Sequence, residues 1–149
     1  MAPRAAARLT TLGFGDVREY TAGKLDWLAA GLPTEGQNSN RPRAGDVCRK
    51  DVATARLGEV RAPAAADTVV VDGNRVVLGL LRQGQESMTE GPSTFRPYVS
   101  IREMADYMKE HDLESAPITT SDGKLVGLLY RDDAVREAES CPDCVRKLI

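Results

Sequence analysis

The sequence predicts an α+β fold built from two copies of one small unit, and three observations carry that expectation. The triplet Gly-Leu-Leu occurs at Gly79–Leu81 and again at Gly127–Leu129, 48 positions apart, a spacing that suits a repeated supersecondary unit. Each triplet lies in an apolar run that follows a turn-forming cluster, Asp72-Gly73-Asn74 in the first case and Ser121-Asp122-Gly123 in the second, the pattern of a β-hairpin. Ahead of the second hairpin, Ile101, Met104, Ala105 and Met108 recur at i, i+3, i+4 and i+7, one apolar face of a helix. Small mixed sheets packed with helices are the expected result.

The elements follow in order. Pro3 stands where a first-turn proline is tolerated, Arg4–Leu12 is rich in helix formers, and Gly13 fits a helix stop. Phe14–Tyr20 reads as a short strand, Ala22-Gly23 breaks it, and Lys24–Ala30 reads as a short helix carrying Leu25, Trp27 and Leu28, closed by Gly31. Residues 1–36 thus form a helix–strand–helix extension, and 37–45, rich in Asn, Ser, Arg, Pro and Gly, a linker. The first repeat spans 46–87: a short helix around Leu57 and Val60, then strands Thr68–Val71 and Val76–Leu81. The second spans 88–140. Ser100 and Glu103 make a capping-box pattern before the amphipathic helix, Ala116–Thr120 and Leu125–Leu129 read as strands, and Asp132-Asp133 opens a polar helix through Arg136 and Glu139. A tail, 141–149, carries Cys141-Pro142-Asp143-Cys144. The copies are unequal: Leu57 to Gly79 is 22 positions, Ile101 to Gly127 is 26, and Pro63 falls where the first helix should continue.

Composition narrows the function. In 149 residues, 42% hydrophobic and 28% charged, 20 Lys+Arg face 22 Asp+Glu for a formal charge of -2. That balance suits a folded core and argues against a nucleic-acid partner held by bulk charge. The longest apolar run, Val76–Leu81, has strand length, so no membrane-spanning segment is expected. No signal peptide is evident, and three cysteines are too few for a disulfide framework. A reduced, cytoplasmic protein is expected, with Cys141 and Cys144 as solvent-facing free thiols. One CxxC pair supplies two sulfur ligands where structural zinc takes four, so no metal is expected. There is no Gly-x-Ser-x-Gly, no P-loop and no Gly-x-Gly-x-x-Gly, and His111 is the sole histidine. The chain offers little to catalyse with and reads as no enzyme.

Over Gly45–Val135 the paired order resembles tandem cystathionine beta-synthase (CBS) repeats, the Bateman module. The second copy carries the signature: Met88–Thr94 at its start, Ala116-Pro117-Ile118-Thr119-Thr120, and Leu125-Val126-Gly127-Leu128-Leu129-Tyr130-Arg131-Asp132-Asp133. Gly127 and Asp133 keep the family frame of Gly, two apolar residues, Ser or Thr, two variable positions and Asp, while Tyr130 replaces the hydroxyl residue. The first copy is degenerate, with Arg82 at the hydroxyl position and Gln85 at the acid position. The resemblance implies a regulatory module that binds an adenosine-containing small molecule, such as AMP, ATP or S-adenosylmethionine, between the repeats, with no resident cofactor. It also implies a homodimer paired through the repeats. Asp133 would accept hydrogen bonds from the ribose hydroxyls; Tyr130 and Arg131 would lie beside the ligand, and Thr94, Ala116 and Pro117 would line the adenine cleft. Read from the residues alone, Asp133 equally suits a first-turn acid stabilised by the helix dipole, and Tyr130 a side chain that fills the cleft. Arg82, Arg96 and Arg131 suit phosphate or an ordinary surface.

Residues 1–36 resemble the C-terminal end of a rhodanese domain, through Ala5–Leu12, Gly13–Val17, Tyr20–Gly23, Asp26-Trp27 and Ala30–Pro33. That family keeps its catalytic cysteine upstream of this helix, and no cysteine here stands at a matching position, so the fragment is expected to be non-catalytic. Two alternatives remain open: a structural or interaction module without a ligand, and a truncated sulfurtransferase carrying a CBS regulatory tail.

Overall fold

The computed structural model describes residues 2–21, 23–29, 32–36, 41–60 and 62–141. Helices α1 (Ala2–Thr11) and α2 (Gly23–Ala29) come first, then the single turn α3 (Ala44–Val47). Strands β1 (Ala53–Arg56), β2 (Thr68–Val71), β3 (Val77–Leu81) and β4 (Thr89–Glu90) follow, then α4 (Ile101–Glu110), β5 (Ser115–Thr119), β6 (Leu125–Tyr130) and α5 (Arg131–Ser140). The first sheet has the order β1-β2-β3-β4, with β1 parallel to β2 and the other neighbours antiparallel. The second is the antiparallel pair β5-β6, extended by single bridges at both edges, Arg49 beside Leu128 and Phe95 beside Ile118.

Both hairpins form where the turn residues put them. Asp72 Oδ1 accepts hydrogen bonds from the backbone N–H of Asn74 and of Val76, each 2.8 Å, closing the first turn. Gly123 takes φ +82 in the second, a conformation glycine adopts without steric cost. The two turns meet: Val77 N–H donates to Gly123 O at 3.1 Å and Leu125 N–H to Arg75 O at 2.9 Å. Pro117 sits inside β5 without losing a bond. Leu128, opposite it, exchanges both of its hydrogen bonds with Arg49 at 2.9 Å, so Pro117 owes β6 no N–H.

Two cores result. The predicted apolar stripe of α4 is buried residue for residue, with Ile101, Met104, Ala105 and Met108 packed with Ala116, Ile118, Leu129, Ala134 and Ala138. Each large side chain there is worth about 1.5–3 kcal/mol of burial. Ala44 and Cys48 join this core from ahead of the first sheet, which ties the 42–49 segment to the second repeat. The other core lies between the sheets, where Val69, Val71 and Leu80 meet Leu125 and Leu128. Gly127 shows why the Gly-Leu-Leu triplet recurs. A Cβ there would stand 2.5 Å from Arg49 O and 2.8 Å from Cys48 Sγ, and one at Gly79 would collide with the Met88 side chain.

Several expectations need correction. Residues 57–59 form a turn after β1, not a helix, and Leu57 is exposed. Pro63, joined to Ala62 by a cis peptide bond, lies in the loop that follows. Among the described residues neither that loop nor the 82–88 loop is helical, so the first repeat lacks the helical layer of the second. Phe14–Tyr20 is irregular; no described strand lies beside it to pair with, and an extended segment alone leaves its hydrogen bonds to water. Tyr20 instead donates a hydrogen bond to Asp26 and packs edge-on against Trp27, whose Nε1–H donates to Pro33 O at 2.8 Å. Ser100 caps α4 by position, yet its side chain makes no capping bond. Cys141 is disulfide-bonded, against the expected free thiol; Cys144 and Gly31 lie outside the described residues. No described helix is long and apolar enough to cross a membrane.

Candidate ligand cleft

The site grows out of the junction between β6 and α5. Tyr130 caps the helix in extended conformation, and Asp133 falls in its first turn, where the positive helix end favours an acid. Asp133 is only 6% exposed. A buried carboxylate requires partners, and it has two. Arg49 Nε–H donates to Oδ2 at 2.8 Å, and Arg136, three residues along α5, donates to Oδ1 at 2.5 Å. The hydrogen bond from Arg49 holds the Asp133 carboxyl below its ordinary pKa; burial acts the other way and Arg136 adds to the lowering. Both guanidiniums reach outward, with side chains 60% and 74% exposed.

Arg49 also lies over the Tyr130 ring, its guanidinium carbon 4.6 Å from the centroid, a cation–π contact. Tyr130 is half-buried against the inter-sheet core. Burial and the Asp67 carboxylate raise its phenol pKa, and Arg49 works against them. Beside this group a groove of about 420 Å³ opens between the Pro42–Arg49 segment and α5, edged by Asp46, Val47 and Glu137.

Of the residues singled out from the sequence, the structure gathers Asp133 and Tyr130. Arg131 leaves them: it donates to Asp112 Oδ1 at 2.9 Å, as residues two apart on a helix face different sides. Thr94 is exposed at the sheet edge beside Phe95. Ala116 belongs to the core under α4 and α5, and Pro117, next to it in β5, is fully buried on the opposite face. Arg96 is engaged with Thr119 Oγ1 and Thr120 O, each at 2.5 Å. Arg82, 48 positions before Tyr130, keeps a buried Nε with no hydrogen-bond partner, as does the Ser115 hydroxyl opposite Tyr130 on β5. Sequence reasoning missed Arg49 and Arg136. Arg136 was available as a basic residue three positions after the acid; Arg49, 84 positions away, offered no local signal. Among the described residues no cluster of three or more His, Cys, Asp or Glu is arranged to hold a metal ion.

The CBS domain family profile matches residues 86–140, the second repeat with its lead-in. No curated protein matches the chain. Among solved structures, CBSX2 in complex with AMP is similar at 19% identity and TM-score 0.57, over 66% of this chain and 96% of that one. The CBS domain pair of protein MJ0100, in complex with 5′-methylthioadenosine and S-adenosyl-L-methionine, follows at 17% identity and TM-score 0.56, over 64% and 94%. The cytosolic domain of the Mg²⁺ channel MgtE in complex with ATP gives 20% identity and TM-score 0.53, over 64% of this chain and 48% of that one, so the match spans about half its length. The fold is therefore that of a CBS domain pair. Its particular features here are, among the described residues, a turn and a loop at 57–59 and 82–88 rather than helices, and a cleft whose acid is already paired with two arginines.

Proposed function

We propose that this chain is a non-catalytic regulatory module that binds an adenosine-containing ligand in the cleft at Asp133. The observation that carries the reading is a carboxylate kept ionised while almost fully buried, at the edge of a groove of ligand size. An ionised carboxylate is an acceptor only, which is what a ribose diol requires. The solved CBS pairs with AMP, ATP and S-adenosylmethionine support the ligand class. Binding that favours one arrangement of the two repeats would supply the free-energy difference on which signalling depends.

Thermal melting against AMP, ATP and S-adenosylmethionine tests the reading, because a ligand of the folded state alone raises Tm by mass action. A Tm rise of several degrees that disappears in Asp133→Ala is the expected result. A flat titration, or a rise that survives the substitution, rejects Asp133 as the anchor.

A second reading, a structural module without a ligand, draws on the existing pairing of Asp133 and the seating of Tyr130 against the core; the flat titration is its expected result. Assembly as a homodimer through α4 and α5 fits the shallow depressions along those helices, lined by Arg102, Asp106, Lys109, Val135 and Glu139. Sedimentation of the full chain checks it, and a monomer at all concentrations overturns it. Residues 1–36 we read as a rhodanese-like appendage without sulfur-transfer chemistry, supported by the absence from them of any cysteine. Turnover of thiosulfate and cyanide by the chain would overturn that.

A further inference from the structure

A carboxylate already held by two guanidiniums accepts a sugar when one of them gives way, and Arg49 is placed to do so. Arg49 covers both groups a nucleoside would use. Its Nε–H occupies Asp133 Oδ2 at 2.8 Å, and its guanidinium lies 4.6 Å from the centre of the Tyr130 ring. Its backbone is fixed, exchanging two hydrogen bonds of 2.9 Å with Leu128, while its side chain is 60% exposed. The side chain can therefore leave the carboxylate without moving the backbone segment that carries it. Arg136 holds the other oxygen, Oδ1, and a carboxylate has lone pairs to spare on that side.

We propose that Arg49 is a resident occupant of the Asp133 site that any ligand must displace, and that this displacement selects adenosine compounds bearing a 5′-phosphate. The proposal rests on the reading of Asp133 as the ribose anchor. A diol that takes Oδ2 replaces Arg49 there, leaves Arg136 on Oδ1 and deprives the Arg49 guanidinium of its carboxylate. A neutral nucleoside leaves the displaced guanidinium, 60% exposed, to water and offers it no anion in exchange. A phosphate restores a charge-assisted, bidentate contact. The rest of the lining sharpens the choice. Asp46 and Glu137 share the groove with Asp133, so that without Arg49 three carboxylates face the single guanidinium of Arg136. The groove then repels phosphate and admits neutral adenosyl compounds.

Calorimetric titration of the full chain and of Arg49→Ala with AMP and with 5′-methylthioadenosine tests this. The unaltered chain is expected to prefer AMP by about tenfold or more, the scale of one charge-assisted contact. In Arg49→Ala the preference should collapse to about threefold or reverse, with 5′-methylthioadenosine binding more tightly than before. An unchanged preference, or equal weakening of both compounds, overturns the role of Arg49. In that case the loss of both ligands in Asp133→Ala would show that the ribose-anchor reading still stands. Absence of binding to both the unaltered chain and Arg49→Ala overturns both ideas. Arg49→Gln, close in length and uncharged, carries the same expectation if the alanine variant does not fold.

Discussion

The two repeats share a hairpin and a Gly-Leu-Leu triplet, and yet their outer faces are covered by different means. In the second, α4 and α5 lie over β5 and β6, and the apolar stripe of α4 is withdrawn from water along its whole length. In the first, Val70, Gly79 and Leu81 are also buried, but among the described residues the segments flanking its strands at 57–59 and 82–88 are turn and loop, with Met88 lying over Gly79. A hairpin needs its apolar face covered more than it needs a particular cover. Loops meet that need for a small sheet, at the loss of the helix start that presents an acid with a dipole behind it. The first repeat has Gln85 where the second has Asp133, and the 82–88 loop where the second has the first turn of α5.

The largest test of this contrast is in the cores. Met108→Ala, in the stripe of α4, should lower the free energy of unfolding by about 2–5 kcal/mol, whereas Leu57→Ala in the exposed turn after β1 should stay within about 0.5 kcal/mol. Urea denaturation of both variants reads the difference, and comparable losses would show that the first repeat has a core contact at Leu57 after all. Next come the glycines. Gly127→Ala must push against the backbone oxygen of Arg49 and should cost about 1–3 kcal/mol. Gly79→Ala meets only the flexible Met88 thioether and should cost less. A larger loss at Gly79 would reverse the contrast.

The smallest effect is electrostatic and belongs to the second repeat. Asp133 has a lowered pKa in the fold, so the stability it contributes is complete above the ordinary carboxylate range. That stability is lost as pH falls below roughly 4 toward the folded value. Asp133→Asn should therefore flatten the acid limb of a melting-temperature profile and leave its neutral limb parallel to that of the unaltered chain. An unchanged acid limb would mean that Arg49 and Arg136 pair with Asp133 too weakly to matter. Lys124 and Asp122, an exposed pair in the second hairpin turn, offer a control, because solvent screens such pairs. Asp122 is lowered to about 2, chiefly by its hydrogen bond with Lys124, and its removal should move the profile little.

Local pattern made much of the second repeat legible. Periodicity placed α4 and turn residues placed both hairpins, whereas Asp133 was singled out only through the resemblance, by the family frame that begins at Gly127. The first repeat misled where a pattern lacked length: Leu57 and Val60 are too few apolar positions to hold a helix that Pro63 interrupts. Phe14 and Val17 likewise marked a strand that has no described neighbour to pair with.

The sequence by itself determined the elements whose reasons are local, because side-chain spacing and turn geometry act within a few residues. Only the tertiary structure decided the cleft. Arg49 reaches Asp133 because the 42–49 segment is drawn onto β6 by two backbone hydrogen bonds and by the burial of Ala44 and Cys48. No periodicity records a contact across 84 positions, since its free energy arises when the chain folds back on itself.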